Sequence, residues 1–123
     1  MRYLLVMLGG GLGSLARYAA GIAIMSRFGA RFPLATMLIN VTGSFIIGLL
    51  MTLLTERFEP HPYWRLLLVV GFLGGYTTFS SFEYETYALM RGGGAWLALA
   101  NVAGSVVFGF AAVWLGTVLA SRW

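Results

Sequence analysis

The sequence predicts an all-α membrane protein with four transmembrane helices, the third of which is broken. The composition is the first reason, because 59% of the 123 residues are hydrophobic and only 10% are charged, whereas a soluble domain has about 25% charged residues. The apolar residues also fall into four runs, and the third run contains a glycine pair followed by hydroxyl residues. The chain is therefore expected to lie in lipid as one four-span transmembrane domain over residues 1–123.

The four apolar runs all have the length needed to cross a bilayer, which is about 20 helical residues. Short polar breaks separate them and leave no room for a second domain. The first run follows Arg2 and has some features of a signal peptide, but it continues through Arg17 without a clear stop, so we interpret it as a retained span. The predicted spans cover residues 3–25, 34–54, 66–90 and 95–120.

The polar inventory argues against an enzyme and against a nucleic-acid-binding protein. The chain has eight arginines, four glutamates, one histidine and no cysteine, so it has neither a disulfide framework nor a thiolate metal site. His61 lies between two prolines without a nucleophile beside it, and a solvated loop position is the simpler interpretation. The arginines sit mainly where the apolar runs end, which is typical of interfacial anchoring.

The distribution of arginines between the two sides of the membrane is nearly even. With four spans, both termini and the middle loop share one side, which holds four arginines against three on the other. Because this asymmetry sets orientation, the balance predicts insertion in both orientations and assembly of oppositely oriented copies; the alternative is that one orientation prevails weakly. The arginines are Arg2, Arg57, Arg65 and Arg122 on one side, and Arg27, Arg31 and Arg91 on the other.

The first span has a face of small residues at four-residue spacing, formed by Gly9, Gly13 and Gly21 with Arg17 among them. Such faces let helices approach closely. An arginine at mid-bilayer costs about 2.5–3.5 kcal/mol, but Arg17 lies about 21 Å along the helix from Tyr3, near the far boundary. We therefore interpret Arg17 as a structural anchor that snorkels or caps a neighbouring helix end, rather than as a substrate ligand.

The second and fourth spans each carry a polar stripe, again at four-residue spacing. Hydrogen bonds between helices, worth about 1 kcal/mol each, are one explanation. Two aligned stripes that each contain an asparagine instead favour a hydrated path lined by hydrogen-bonding groups. The stripes are Thr36, Asn40, Ser44 and Gly48 in the second span, and Asn101, Ser105 and Gly109 in the fourth.

The third span contains the segment 71–82, in which Gly74 and Gly75 precede four hydroxyl residues. These residues are poor helix formers, so the helix is predicted to break here, and backbone that is not helical at membrane depth must be buried or line a polar cavity. The break would free carbonyls for a cation on one side and amides for an anion on the other.

The lining groups favour an anion over a cation. Phe79 and Phe82 are three residues apart and share a face, where their ring edges carry positive potential, although packing is the commoner role of such a pair. Neither polar stripe contains a carboxylate. Spacing alone does not select fluoride over chloride or a neutral solute.

Three motifs resemble those of the fluoride channel family, also called Fluc or CrcB. The segment from Gly74 to Phe82, GGYTTFSSF, is similar to the third-span element GG-x-TTFSTF of that family. The first-span GGGLGSLARY, from Gly9 to Tyr18, and the second-span NVTGSFIIG, beginning at Asn40, also resemble family patterns, in the same order along the chain. Two positions depart from the pattern, Ser81 in place of threonine and the bulky Tyr76, and both keep a hydrogen-bonding group.

The resemblance implies an antiparallel dual-topology homodimer with two pores in the cell (inner) membrane, which exports fluoride passively and relieves its toxicity. It implies a structural Na⁺ at the dimer centre, held by the main-chain carbonyls of Gly74 and Thr77 from both subunits, and places Glu85 near a pore end. It assigns the fluoride pathway to an aromatic box of Phe79 and Phe82, to Asn40 as an ion ligand, and to the hydroxyls of Ser80, Thr36 and Ser105.

Two other classes of membrane protein are weaker alternatives. A small four-span multidrug exporter also uses dual topology, but it needs an embedded carboxylate in the first span, where this chain has Arg17 and no acid. A structural or assembly subunit would explain the glycine faces but neither the polar stripes nor the broken third span. The sequence does not identify which fourth-span side chains complete the pore.

Overall fold

The computed structural model describes residues 1–58 and 60–122, and every regular element in this part of the chain is a helix. Four helical stretches are long and apolar enough to cross a membrane, which confirms the predicted all-helical fold with four spans. The predicted bounds agree with the observed ones to within three residues. The stretches are Arg2–Phe28, Leu34–Arg57, Arg65–Arg91 and Ala95–Ser121.

Three of the spans are continuous helices. The first is α1 (Arg2–Phe28), and the fourth is α5 (Ala95–Ser121). The second is α2 (Leu34–Thr52), which continues into a π-helical turn at Leu53–Arg57. The ends of the second and fourth spans meet at one boundary, because the Arg57 guanidinium donates a hydrogen bond to the Ser121 carbonyl.

The third span consists of two halves. The first half begins with a π-helix at Arg65–Leu73 and continues through the short helix α3 (Gly74–Tyr76). The second half is α4 (Phe79–Arg91). Between them Thr77 (φ −81°, ψ 157°) and Thr78 (φ −150°, ψ 119°) are extended, so the helix does break within the predicted segment, after the glycine pair rather than at it.

Two glycines in the described part of the chain have a positive φ, and both lie in turns that follow helices. Gly29 (φ 78°) follows α1, and its amide donates to the Met25 carbonyl at 2.8 Å. Gly93 (φ 82°) lies in the turn that leads from α4 to α5. Residues other than glycine rarely adopt a positive φ, so these two glycines fix where the helices end.

The main chain of α1 packs directly on the first half of the third span. A Cβ atom at Gly9 would collide with the Leu67 carbonyl oxygen, and one at Gly13 would collide with the Phe72 carbonyl oxygen. Later residues of α1 contact later residues of the third span, so the two segments run parallel. The predicted close packing is thus present at Gly9 and Gly13, but a Cβ at Gly21 meets nothing within 4 Å, because α1 extends beyond its neighbour there.

The second and fourth spans use glycine in the same way. A Cβ at Gly48 would collide with the Val113 carbonyl oxygen, and one at Gly116 would collide with that of Phe45. This contact sets the register of α5 on α2 and thereby places Ser105 close to the break in the third span.

The interior of the single chain is small. Leu73 is 2% exposed and Ile39 is 3% exposed, while large apolar side chains such as Leu12, Phe110 and Trp114 face outward. Exposed apolar surface of this extent is expected for helices whose outer faces meet lipid.

Candidate ion-binding site at the helix break

A cavity of about 420 Å³ opens beside the break in the third span, and we call it the break cavity. Residues of α2, both halves of the third span and α5 line it. Six of the residues expected to form the fluoride pathway or the cation site take part, which are Asn40, Phe79, Phe82, Ser105, Gly74 and Thr77. The polar stripe of the second span also reaches the cavity through Ser44.

Asn40 holds the broken backbone. Its Nδ2 donates to the Thr78 carbonyl at 2.9 Å, and its Oδ1 accepts from the Thr78 amide at 2.8 Å. A helix would pair that amide with the carbonyl of Gly74, so Asn40 takes the place of a helical hydrogen bond. Since the amide nitrogen carries two hydrogens, one N–H of Asn40 stays available beside the cavity.

Side chains satisfy the groups that the break exposes at the start of α4. The Thr78 hydroxyl accepts from the Ser81 amide at 3.3 Å and donates to the Ser81 hydroxyl at 3.1 Å. Threonine and serine are favoured at this capping position because their oxygens accept from the first unpaired amides of a helix. The hydroxyl-rich sequence after the glycine pair is therefore what allows a new helix to begin at Phe79.

The two aromatic residues of the break cavity differ in exposure. Their ring centroids lie 5.8 Å apart with the planes tilted by 45°, which matches the expectation that they share a face. Phe82 is 8% exposed, whereas Phe79 is 73% exposed. One ring is thus set in the interior of the chain and the other projects from it.

Ser105 contributes an unpaired hydroxyl. Its Oγ is buried and has no hydrogen-bond partner in the described part of the chain, although the residue lines the break cavity. A buried polar group without a partner costs about 1–3 kcal/mol, so an occupant of the cavity that accepts a hydrogen bond would be stabilised here.

Arg17 reaches the break from α1. Its guanidinium donates to the Thr77 carbonyl at 3.4 Å, and the nearby Ser14 hydroxyl donates to the Gly75 carbonyl at 3.5 Å. The Gly75 carbonyl belongs to α3, and the Thr77 carbonyl belongs to the residue that directly follows α3. Arg17 therefore contacts a helix end, and it does not line the break cavity.

Thr36 and Glu85 lie apart from the break cavity, in a second cavity of about 410 Å³ that we call the Glu85 cavity. The Thr36 hydroxyl donates to Glu85 Oε1 at 2.8 Å, and Glu85 Oε2 is buried without a partner in the described residues. Arg31 also lines this cavity. The sequence placed Thr36 on a polar stripe and Glu85 near a pore end but did not anticipate that they pair. Ser80 is exposed and lines neither cavity.

Sequence reasoning missed a buried hydrogen-bond chain that links α5 to Phe82. Asn101 is 1% exposed, and its Nδ2 donates to the Thr86 hydroxyl at 2.8 Å. That hydroxyl donates in turn to the Phe82 carbonyl at 2.8 Å. Asn101 thus belongs to the interior and not to the lining of the break cavity, although the serine four residues later does face the cavity.

The sequence also did not indicate a role for Tyr76, the bulky residue after the glycine pair. Its hydroxyl lies 2.9 Å from the Thr42 hydroxyl, and its ring stacks on Phe72 with centroids 6.0 Å apart. Thr42 is two residues from Asn40 on α2. The third span therefore bonds to α2 at two points, through Tyr76 just before the break and through Thr78 within it.

Comparison with known proteins shows which family this chain belongs to. Residues 4–117 match the family model described as CrcB-like protein, Camphor Resistance (CrcB). A protein of Solibacter usitatus named fluoride-specific ion channel FluC is 71% identical over 122 residues, which cover 99% of this chain and 100% of that protein. Proteins with the same name from Acidobacterium capsulatum (49% identical, 99% of this chain and 98% of that protein) and Pyrococcus horikoshii (41% identical, 96% and 94%) are also similar. The motif resemblance is thereby confirmed, and the chain belongs to the CrcB family.

Proposed function

We propose that this protein is a fluoride-selective channel that lets fluoride leave the cell passively and so relieves fluoride toxicity. The observation that carries the proposal is the break cavity, in which an N–H of Asn40, the unpaired Ser105 hydroxyl and two phenylalanine rings meet at membrane depth. Relatives that align over nearly the whole chain are named fluoride-specific ion channels. The protein is accordingly a multi-pass protein of the cell (inner) membrane and not an enzyme.

The sign of the permeant ion follows from the lining chemistry. Hydrogen-bond donors and ring edges present positive potential, and no carboxylate lines the break cavity among residues 1–58 and 60–122. An anion that leaves water must regain hydrogen bonds, and each bond to a charged group is worth about 1.5–3 kcal/mol. Small anions gain most, because their charge approaches the donors closely.

A four-span multidrug exporter explains the structure less well. Such a transporter needs an acid in its first span, where α1 has Arg17 in contact with the Thr77 carbonyl. Glu85, a half-buried acid of the third span, pairs with Thr36 outside the break cavity. An assembly subunit without transport activity leaves the donors of the break cavity unexplained.

Flux from proteoliposomes tests the function. Vesicles loaded with potassium fluoride or potassium chloride are diluted into salt without the anion, and valinomycin starts efflux, which an electrode selective for each anion records. We expect fast fluoride efflux that follows the imposed voltage and persists without a proton gradient. Chloride should leave no faster than it leaves vesicles without protein. Chloride efflux as fast as that of fluoride would contradict selectivity. Efflux that stopped when only the proton gradient was removed would favour coupled transport.

We further propose that two copies assemble as an antiparallel dual-topology homodimer. Ser80, Ser81 and the ring of Phe79 are exposed on the single chain in the middle of the third span. Hydroxyl groups at membrane depth need a protein partner or a water-filled cavity, and a second copy would supply one. The near balance of arginines between the two sides supports the antiparallel arrangement. In this assembly Phe79 lines a pore at the interface.

The proposal includes a structural Na⁺ at the dimer centre, held by the carbonyls of Gly74 and Thr77. These oxygens fit a hard cation, which takes oxygen ligands. The break removes their helical partners, since the Thr78 amide bonds to Asn40 and the Ser81 amide bonds to the Thr78 hydroxyl. Thr77 also accepts from Arg17, but a carbonyl oxygen has a second lone pair. No group of three or more acidic, histidine or cysteine side chains in the described residues offers a different metal site.

A further inference from the structure

A third cavity lies at the boundary where the first and third spans begin, and it shares no lining residue with the break cavity. It has a volume of about 610 Å³, and we call it the arginine cavity. Arg2 and Arg65 are the first residues of their helical stretches. Because α1 and the first half of the third span run parallel, both guanidinium groups stand at the same boundary. The lining residues are Arg2, His61, Pro62, Tyr63, Arg65, Leu66 and Val70.

The rim of the arginine cavity offers hydrogen-bond donors and positive charge. Arginine is always protonated, and its planar donors match two phosphate oxygens at once. His61 Nδ1 accepts from the Tyr63 main-chain amide at 3.3 Å, so the neutral ring carries its proton on Nε2 and can donate outward. No carboxylate lines the cavity among the described residues. The rim is therefore complementary to a phosphate group.

The floor of the arginine cavity is apolar. Leu66 and Val70 are four residues apart on the same helical segment, and they continue from the basic rim towards the interior of the membrane. Val70 is 51% exposed, so this floor opens to lipid. Trp64 is exposed beside it, at the depth where aromatic residues anchor proteins to the headgroup layer.

We propose that the arginine cavity binds an anionic phospholipid, with the headgroup phosphate between Arg2 and Arg65 and an acyl chain along Leu66 and Val70. A free phosphate ion would use only the rim, whereas a phospholipid uses the rim and the apolar floor. Two permanent positive charges favour an anionic headgroup such as phosphatidylglycerol over a zwitterionic one, whose cationic end they repel. The site belongs to one chain and does not depend on what the channel conducts.

Quenching of Trp64 by brominated lipid tests the proposal. The reporter protein keeps Trp64 and carries Trp96→Phe, Trp114→Phe and Trp123→Phe. It is reconstituted in phosphatidylcholine bilayers that contain a small fraction of brominated phosphatidylglycerol or, in parallel, brominated phosphatidylcholine. We expect stronger quenching by the phosphatidylglycerol. Each arginine near an anionic headgroup strengthens association by about fivefold, so Arg2→Gln and Arg65→Gln should each weaken it about fivefold, and together roughly 25-fold.

The matched control is the double variant Arg57→Gln and Arg122→Gln. It removes two positive charges from the same boundary, outside the arginine cavity. It therefore changes the surface potential and the insertion bias as much as the double variant of Arg2 and Arg65 does. The site is supported if this control keeps the preference for phosphatidylglycerol and the double variant of Arg2 and Arg65 loses it. Equal loss in both variants would overturn it, as would equal quenching of the reporter by the two lipids. A site that takes only a free phosphate ion at its rim would also give equal quenching by the two lipids, and this result would refute the lipid assignment.

Discussion

Asn40 binds both main-chain polar groups of Thr78, at 2.9 Å and 2.8 Å, and so a side chain of the second span replaces a missing turn of the third. The same amide group faces the break cavity. One residue thus positions the broken backbone and, in the proposed pathway, would also contact the ion. This double role leads to the first prediction.

Asn40→Asp should reduce fluoride efflux strongly. Aspartate keeps an acceptor for the Thr78 amide, but it loses the donor to the Thr78 carbonyl and puts negative charge beside the cavity. Loss of one hydrogen bond to an anion, worth about 1.5–3 kcal/mol, corresponds to a decrease of roughly 10- to 100-fold. The electrode assay measures it, with elution volume in detergent as the control for folding. Unchanged efflux from a folded variant would remove Asn40 from the site.

Phe79→Ile and Phe82→Ile should separate a role in conduction from a role in packing. Both changes keep an apolar side chain and remove the ring edge, so both should slow fluoride efflux. Because Phe82 is 8% exposed and Phe79 is 73% exposed, only Phe82→Ile should lower the midpoint of thermal unfolding, through a stability loss of about 0.5–3 kcal/mol. Normal efflux from both folded variants would show that the two rings contribute to packing and not to conduction.

The Asn101 to Thr86 hydrogen bond predicts a non-additive pair of substitutions. Thr86→Val leaves the buried Nδ2 of Asn101 without its partner at 2.8 Å, and this should cost about 1–3 kcal/mol of unfolding free energy. Thr86→Ser keeps the hydroxyl and is the matched control. In the double variant with Asn101→Leu the loss should be smaller than the sum of the single losses. Strict additivity of the losses of unfolding free energy would show that the two side chains do not stabilise the protein through their contact with each other.

Dual topology predicts that a reporter fused after Arg122 is found on both sides of the membrane. Two lysines added beside Arg122 raise the count on that side from four to six against three, so insertion should become one-sided. Fluoride efflux should then fall and recover when an oppositely biased copy is co-expressed. A reporter confined to one side in the unmodified protein would exclude the antiparallel dimer.

The Na⁺ proposal predicts that replacing Na⁺ by N-methylglucamine slowly abolishes fluoride efflux or weakens the dimer. In this proposal the ion would have no stoichiometric part in transport, so the loss of efflux should follow the time of ion dissociation rather than the rate of flux. Lithium and potassium salts serve as controls for ion size. Fluoride movement in a fixed ratio with Na⁺ would contradict a structural role.

Local sequence patterns were sufficient for the spans and for the break. The apolar runs and their polar ends predicted each helical stretch to within three residues, because the bilayer requires about the same length of every span. Poor helix formers after Gly75 predicted the break, although it falls at Thr77 and Thr78. The glycine pair stays helical because the absence of a Cβ at Gly75 lets it lie against the Gly10 carbonyl.

Contacts between residues that are distant along the chain could not be predicted from the sequence. Thr36 and Glu85 are 49 residues apart and meet through a hydrogen bond. The sequence suggested that Arg17 could cap a helix end but did not identify the Thr77 carbonyl as its partner. These pairs depend on the register between helices, which is set by where glycines allow main chains to touch. Periodicity within one helix shows which face is polar but not which residue lies opposite.

The break at Thr77 and Thr78 gives the third span two helix dipoles instead of one. A helix carries roughly half a positive charge at its N-terminus and half a negative charge at its C-terminus, so the end of α3 and the start of α4 place opposite partial charges two residues apart. Away from water these charges are weakly screened. A continuous helix through this segment would remove both poles together, so any attraction for a cation and any attraction for an anion at mid-membrane would be lost in a single step.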